Sequence, residues 1–109
     1  MAKFVMLFRG GNVPTDKYEE HSKAWMNWFE QLGATGKLQE GGAPLAQDGK
    51  VAMADGSTKN YDWQTDSCVN GLCFVEVDTL DEAVALTAGC PAIDPSVGGT
   101  VEVRELSSM

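Results

Sequence analysis

Positive charge is scarce in this chain. Eight Lys and Arg stand against 16 Asp and Glu, a net charge of −8 at neutral pH. The basic residues never cluster into a patch that could follow a phosphate backbone, which excludes nucleic acid as a direct partner. The acidic residues (Asp16, Glu19, Glu20, Glu40, Asp48, Asp55, Asp81, Glu82) are scattered and read as solvated surface. Long apolar runs are also missing. None approaches the roughly 20 residues of a membrane helix, and the apolar start from Met1 to Arg9 is too short for a signal peptide. The expected location is the cytoplasm, with no membrane partner. Histidine occurs once, as His21, and no acidic pair at helical spacing joins it, so a metal centre lacks ligands. Gly10-Gly11 and Gly41-Gly42 form neither a dinucleotide fingerprint nor a phosphate loop, and no cofactor is expected.

The three cysteines, Cys68, Cys73 and Cys90, are odd in number and match neither a C-x-x-C motif nor a zinc framework. Reduced thiols are expected. Cys73 lies within Leu72-Cys73-Phe74-Val75 and Cys90 follows a helix, so both read as small hydrophobes rather than nucleophiles.

What remains is ordinary globular protein: 109 residues, 43% apolar and 22% charged, enough for one domain over residues 1–109. Lys3 to Arg9 is a short apolar run halted by Gly10-Gly11-Asn12, as in a central strand buried on both faces. A helix is predicted from about Thr15 to Leu32, capped by Thr15 or Asp16 with Glu19 completing a capping box. Its apolar stripe is Tyr18, His21, Trp25, Trp28 and Leu32, with Phe29 adjoining. Gly33 and Gly36 can end it, and residues 37–43 lead into a strand or extended segment.

Turn signals then crowd the chain at Asp48-Gly49, Asp55-Gly56 and Asn70-Gly71. The middle pair, between residues 50–54 and 57–61, predicts a two-residue hairpin. Residues 62–67 have no period and read as loop. Leu72 to Val77 is a second apolar strand. Thr79-x-x-Glu82 starts a second helix with a narrow stripe of Leu80, Ala83, Val84 and Thr87, ended by Gly89 and Pro91. The last strand, Thr100 to Leu106, alternates Val101 and Val103 with polar residues.

This order predicts an α+β fold of the ferredoxin-like split β-α-β type with an inserted β-hairpin. Right-handed crossovers put both helices on one face of the antiparallel sheet. The strands are apolar on both parities at 4–8 and 72–75, so the other face is unsuited to water. A homodimer through the open sheet face is the expected closure, with a small-molecule cavity between sheet and partner.

Three stretches carry a resemblance: Lys3-Phe4-Val5-Met6-Leu7-Phe8-Arg9-Gly10, the segment from Asp78 through Leu80-Asp81-Glu82-Ala83 to Gly89-Cys90-Pro91, and Gly98-Gly99-Thr100-Val101-Glu102-Val103-Arg104. With matching spacing through the first helix, the chain resembles the YCII-related domain family over almost its whole length. These are small bacterial proteins, including a branch marked by a D-G-P-F signature. The resemblance implies a dimeric α+β barrel, related in fold to muconolactone isomerase and chlorite-dismutase-like proteins, in a family whose members mostly have no established activity. Where relatives read D-G-P-F, this chain has Asn60-Tyr61-Asp62-Trp63. In the branch with a suggested enzymatic role, a helix histidine pairs with an aspartate just after the second helix. His21 matches the first, but Cys90 occupies the place of the second, so that pair is broken.

Each candidate site residue has a structural reading beside its functional one. His21 is either a packed, hydrogen-bonded imidazole or a proton carrier at a cavity. Arg9 and Arg104 are either hooks for a carboxylate or partners of surface acids such as Glu102 and Glu105. Trp25 and Trp28 belong to the helix stripe, which leaves Trp63 to wall a ligand site. Asp62 is either a carboxylate partner in the cavity or a turn cap. The first functional reading is a protein that binds or transforms a small organic acid or lactone, with His21 and Asp62 catalytic and Arg9, Trp63 and Arg104 binding ligand. The second is a non-catalytic ligand-sensing or protein-interaction module, with a transcription-related role reached through a protein partner.

Overall fold

The apolar run near the start does become a strand, β1 (Ala2–Gly10), and it lies at the middle of the fold. The computed structural model describes residues 1–63, 65 and 68–107. After β1, a 3-10 turn at Thr15–Lys17 enters helix α1 (Tyr18–Ala34), followed by strand β2 (Leu38–Pro44) and a hairpin of β3 (Lys50–Ala52) and β4 (Thr58–Asn60). Strand β5 (Val69–Val77), helix α2 (Leu80–Ala85), a 3-10 turn at Pro91–Ile93 and strand β6 (Gly99–Glu105) complete the order. The main sheet runs β2-β5-β1-β6, all antiparallel, and β3-β4 forms a separate ribbon. This is the expected ferredoxin-like split β-α-β arrangement with a hairpin between β2 and β5.

The period of two in β1 and β5 decides which face each side chain joins. Phe4, Met6 and Phe8 of β1 and Cys73, Val75 and Val77 of β5 are buried on one face. Trp28 and Leu32 of α1 and Ala83 of α2 pack in the same core, so both helices cover that face. The other parity, Val5, Leu7, Leu72 and Phe74, is only half-buried in the single chain, where burial on both faces was expected of β1. Cys68, Cys73 and Cys90 are buried free thiols. Burial pushes Cys73 up to about 12 and Cys90 up to about 11, so neither is a thiolate at neutral pH.

Several local expectations shift. The start of α1 has no side-chain cap, because the 3-10 turn after Pro14 moves the first α-helical turn past Thr15 and Asp16 and puts Lys17 at the cap position. Tyr18 is consequently exposed, and the buried stripe narrows to Trp28 and Leu32 with Trp25 and Phe29 beside them. The Asp55-Gly56 hairpin is wider than two residues. Met53 N–H donates to Ser57 O, Gly56 N–H donates to Met53 O, and Gly56 takes φ +91°. The Asp55 carboxylate accepts from both the Ser57 N–H and its hydroxyl, which draws a further residue into the turn. Asn70-Gly71 is not a turn but lies inside β5. The predicted loop at 62–67 falls partly on Gln64, Asp66 and Ser67, outside the described residues.

Helix α2 begins where the capping signal put it, with the Thr79 hydroxyl accepting from Glu82 N–H at 3.1 Å. Its buried position is Ala83, while Leu80 and Val84 face outward at 50% and 48% exposure. A helix of six residues has room for little more than one contact with the sheet.

Candidate functional site

Backbone without side chains opens the site. At one end of the sheet, Gly10 ends β1 and Gly11 follows it, Gly42 lies in β2 and Gly71 in β5. None of these fills the space beneath the first half of α1. A cavity of about 870 Å³ results, bordered by Phe8 and Gly71 on the sheet and by His21, Trp25, Met26 and Phe29 on the helix. That volume is within the range of small-molecule sites. It lies on the helix side of the sheet and is distinct from the chamber expected between the open face and a second copy.

Three aromatic rings, Phe8, Trp25 and Phe29, make its inner wall, and Trp28 packs against them. Phe8 meets Trp25, Trp28 and Phe29 edge-on at centroid distances of 4.9, 5.9 and 6.2 Å, and Trp25 stacks on Phe29 at 5.7 Å and 25°. Edge-to-face and offset geometries of this kind favour the ring quadrupoles and lock the cluster. Phe29 in turn lies flat against Gly42, where a Cβ would come within 2.3 Å of its Cζ. Glycine at that position is what lets the ring reach the strand.

His21 stands at the edge of this wall, half-buried. Its Nε2 accepts a hydrogen bond from the Trp25 indole Nε1–H at 2.8 Å. Desolvation lowers its pKa from the ordinary imidazole value, and the negative field of Asp94 opposes that shift. Asp94 follows the 3-10 turn at Pro91–Ile93, and its carboxylate accepts from the Ser96 N–H and hydroxyl at 2.9 and 2.7 Å. Those two bonds, with a smaller contribution from His21, hold its pKa below the usual carboxylate range. The acid whose field reaches His21 is Asp94, while Cys90 is buried at 2% exposure. Sequence spacing did not reach Asp94, which lies four residues past Cys90, beyond the 3-10 turn that Pro91 starts.

The other candidates do not converge on this cavity. Arg9 borders it, but its Nε is held by Glu102 at 2.9 Å. Arg104 is exposed on the open sheet parity, 3.9 Å from the same Glu102. Glu102 therefore joins both arginines, the surface pairing that competed with the anion-hook reading. Asp62 lines a second, smaller hollow of about 390 Å³ under the hairpin, together with Arg9, Lys59 and Tyr61. Trp63 is 41% exposed and borders neither hollow. The Tyr61 hydroxyl accepts from Val69 N–H at 3.0 Å and anchors this loop to β5. Asn70, which the sequence did not single out, borders the main cavity and donates from Nδ2 to Gly10 O at 2.7 Å, fixing the loop that closes it. Among the described residues no three His, Cys, Asp or Glu side chains converge on one point, and no described helix is long and apolar enough to cross a membrane.

Comparison with known proteins agrees with this architecture. The family model of the YCII-related domain matches residues 2–109. Among solved structures, 5-chloro-2-hydroxyhydroquinone dehydrochlorinase (TftG) from Burkholderia phenoliruptrix AC1100, in complex with 2,5-dihydroxybenzoquinone, superposes with a TM-score of 0.58. The identity is 16%, over 96% of this chain and 93% of that one, a likeness of fold. No curated protein matches the sequence significantly.

Proposed function

This chain belongs to the YCII-related domain family, and on that premise we propose that its helix–sheet cavity binds a small oxygenated ring compound, an organic acid or lactone, and transforms it by proton transfer at His21. The observation that carries this reading is a single imidazole, of lowered pKa, at the edge of a roomy cavity with aromatic walls. Flat rings bind well between such walls, and an imidazole that stays neutral near pH 7 can exchange a proton with substrate. The fold neighbour is a dehydrochlorinase in complex with a flat, doubly hydroxylated quinone, which is a ligand of the kind such walls would accept.

Asp94 supports His21 electrostatically in this scheme. Arg9 supplies positive charge at the rim rather than an open fork, since Glu102 occupies its Nε. Asp62 acts from the neighbouring hollow under the hairpin, and Trp63, outside both hollows, takes no part in this scheme. Titration with 2,5-dihydroxybenzoquinone and a panel of benzoic acids and small lactones tests the reading. At least one probe is expected to bind, and His21→Ala should weaken it by about tenfold, the equivalent of ~1.4 kcal/mol. No binding by any probe, or equal binding by the variant, would overturn it.

We further propose that the open sheet face pairs with a second copy. Val5, Leu7, Leu72 and Phe74 form its apolar centre, with Lys3, Arg104, Glu76 and Glu102 around them. An apolar centre inside a rim carrying both signs of charge suits a two-fold, self-complementary contact, in which each acid can meet a base of its twin. Sedimentation at micromolar concentration is expected to show a dimer that Phe74→Lys dissociates. A monomeric wild-type protein would sink the proposal.

A further inference from the structure

Trp25 occupies a position that does more than fill the core. Its ring is clamped on three sides, stacked on Phe29 and met edge-on by Phe8 and by Trp28, the last at 5.8 Å and 86°. Phe29 is itself seated against the backbone of Gly42. The indole N–H therefore has little freedom to turn, and it aims at Nε2 of His21, one helical turn earlier on α1, at 2.8 Å.

An indole N–H is a donor only. For Nε2 to accept from it, that nitrogen must carry its lone pair, and the proton of the neutral ring must sit on Nδ1. A doubly protonated imidazolium would set one N–H against another. Desolvation lowers the pKa in the same direction, and the charged group facing the imidazole from the packed elements, Asp94, works against both. Arg9 of β1 and Glu30 of α1 border the same cavity.

We propose that Trp25 is a positioning residue of the site: by holding Nε2 it fixes the Nδ1–H tautomer of His21, so that the imidazole meets a bound molecule as a neutral hydrogen-bond donor. The complementary group on the molecule is then an acceptor, a carbonyl or ring oxygen, rather than a hydroxyl awaiting a base. The proton transfer proposed above therefore uses Nε2 only after it is released from Trp25, and until then the imidazole donates from Nδ1 to an oxygen of the bound molecule. This deepens the reading of the cavity as a small-molecule site and rests on it. The measurement below uses ligand-free protein, so the tautomer and the existence of a ligand are decided separately.

His21 is the only histidine in the chain, so long-range ¹H–¹⁵N correlation of uniformly labelled protein shows a single imidazole. The wild type is expected to give the Nδ1–H pattern above the titration midpoint. Trp25→Phe, which keeps a ring against Phe8 and Phe29 but lacks the donor, should move the tautomer ratio toward Nε2–H by about fivefold, the worth of one ordinary hydrogen bond. It should also raise the midpoint toward that of a free imidazole. A tryptophan that merely packs would leave both unchanged on replacement by phenylalanine. If the variant fails to fold, the wild-type spectrum alone decides: the Nε2–H pattern there overturns the proposal, as does an unchanged ratio and midpoint in a folded variant.

Discussion

Phe8→Ala is expected to lower the unfolding free energy by about 3–5 kcal/mol, the range for deleting a buried aromatic ring. Phe8 is 4% exposed and touches Trp25, Trp28 and Phe29 with its edge or face. Removing it takes away the one ring of the four that β1 contributes, the others all lying on α1. The neighbours are tied to α1 and cannot collapse onto β1 without breaking the Trp25–Phe29 stack, so much of the void should persist. For a domain of this size, whose whole stability is about 5–15 kcal/mol, the melting temperature should fall by more than about 10 °C. Thermal unfolding followed by circular dichroism checks this. A loss below about 1 kcal/mol would show that the aromatic wall is not the centre of the core, since ordinary surface changes already reach half that size.

Gly99→Ala should destabilise by about 1–3 kcal/mol, in the overpacking range and toward its upper end. A Cβ at Gly99 would lie 2.7 Å from the Ala92 carbonyl oxygen and 2.8 Å from that of Arg9. Both obstacles are backbone, so relief requires β6 to move away from β1 and from the 3-10 turn at Pro91–Ile93. That turn leads into Asp94, and the same variant should therefore disturb the field at His21. Gly33→Ala is the control. Gly33 lies in α1 with nothing within 4 Å of its added methyl, and alanine there should stabilise by up to about 1 kcal/mol through helix propensity. Denaturant unfolding of the two variants should give shifts of opposite sign. Equal shifts would mean that close backbone approach at Gly99 is not what selects glycine.

These two sites show where reading by residue type succeeds and where it stops. Phe8 was legible as core from the apolar run alone. Gly99 was not, because its neighbours are main-chain oxygens from residues about 7 and 90 positions away, and no side-chain pattern records them. The same division runs through the candidate site. His21 was singled out because it is the lone histidine on an apolar stripe, and it does border the cavity. Its hydrogen bond to Trp25 follows from their spacing of four on one helix. Asp94 was passed over, since it follows a proline-started turn that lies beyond the reach of spacing rules for the second helix.

Arg9 and Arg104 illustrate the converse failure. Each was a reasonable anion hook as an isolated strand cation, yet antiparallel register sets Glu102 opposite Leu7, two residues along β6 from Arg104 and two from Thr100, the cross-strand partner of Arg9, within reach of both. Register between strands 90 residues apart is a tertiary fact, and it brings both candidate hooks to one acid.

By itself the sequence determined the element order, the central place of β1, the helix-covered face and the burial of Cys73 and Cys90, because hydrophobic periodicity and capping chemistry act within a few residues. Tertiary structure alone decided that a cavity lies under α1, that the field of Asp94 reaches His21, and that Phe8 and Phe29 hold the Trp25 ring in place. Those outcomes depend on gaps left by glycines from three different strands and on rings meeting across the core, and chain-local patterns carry no measure of either.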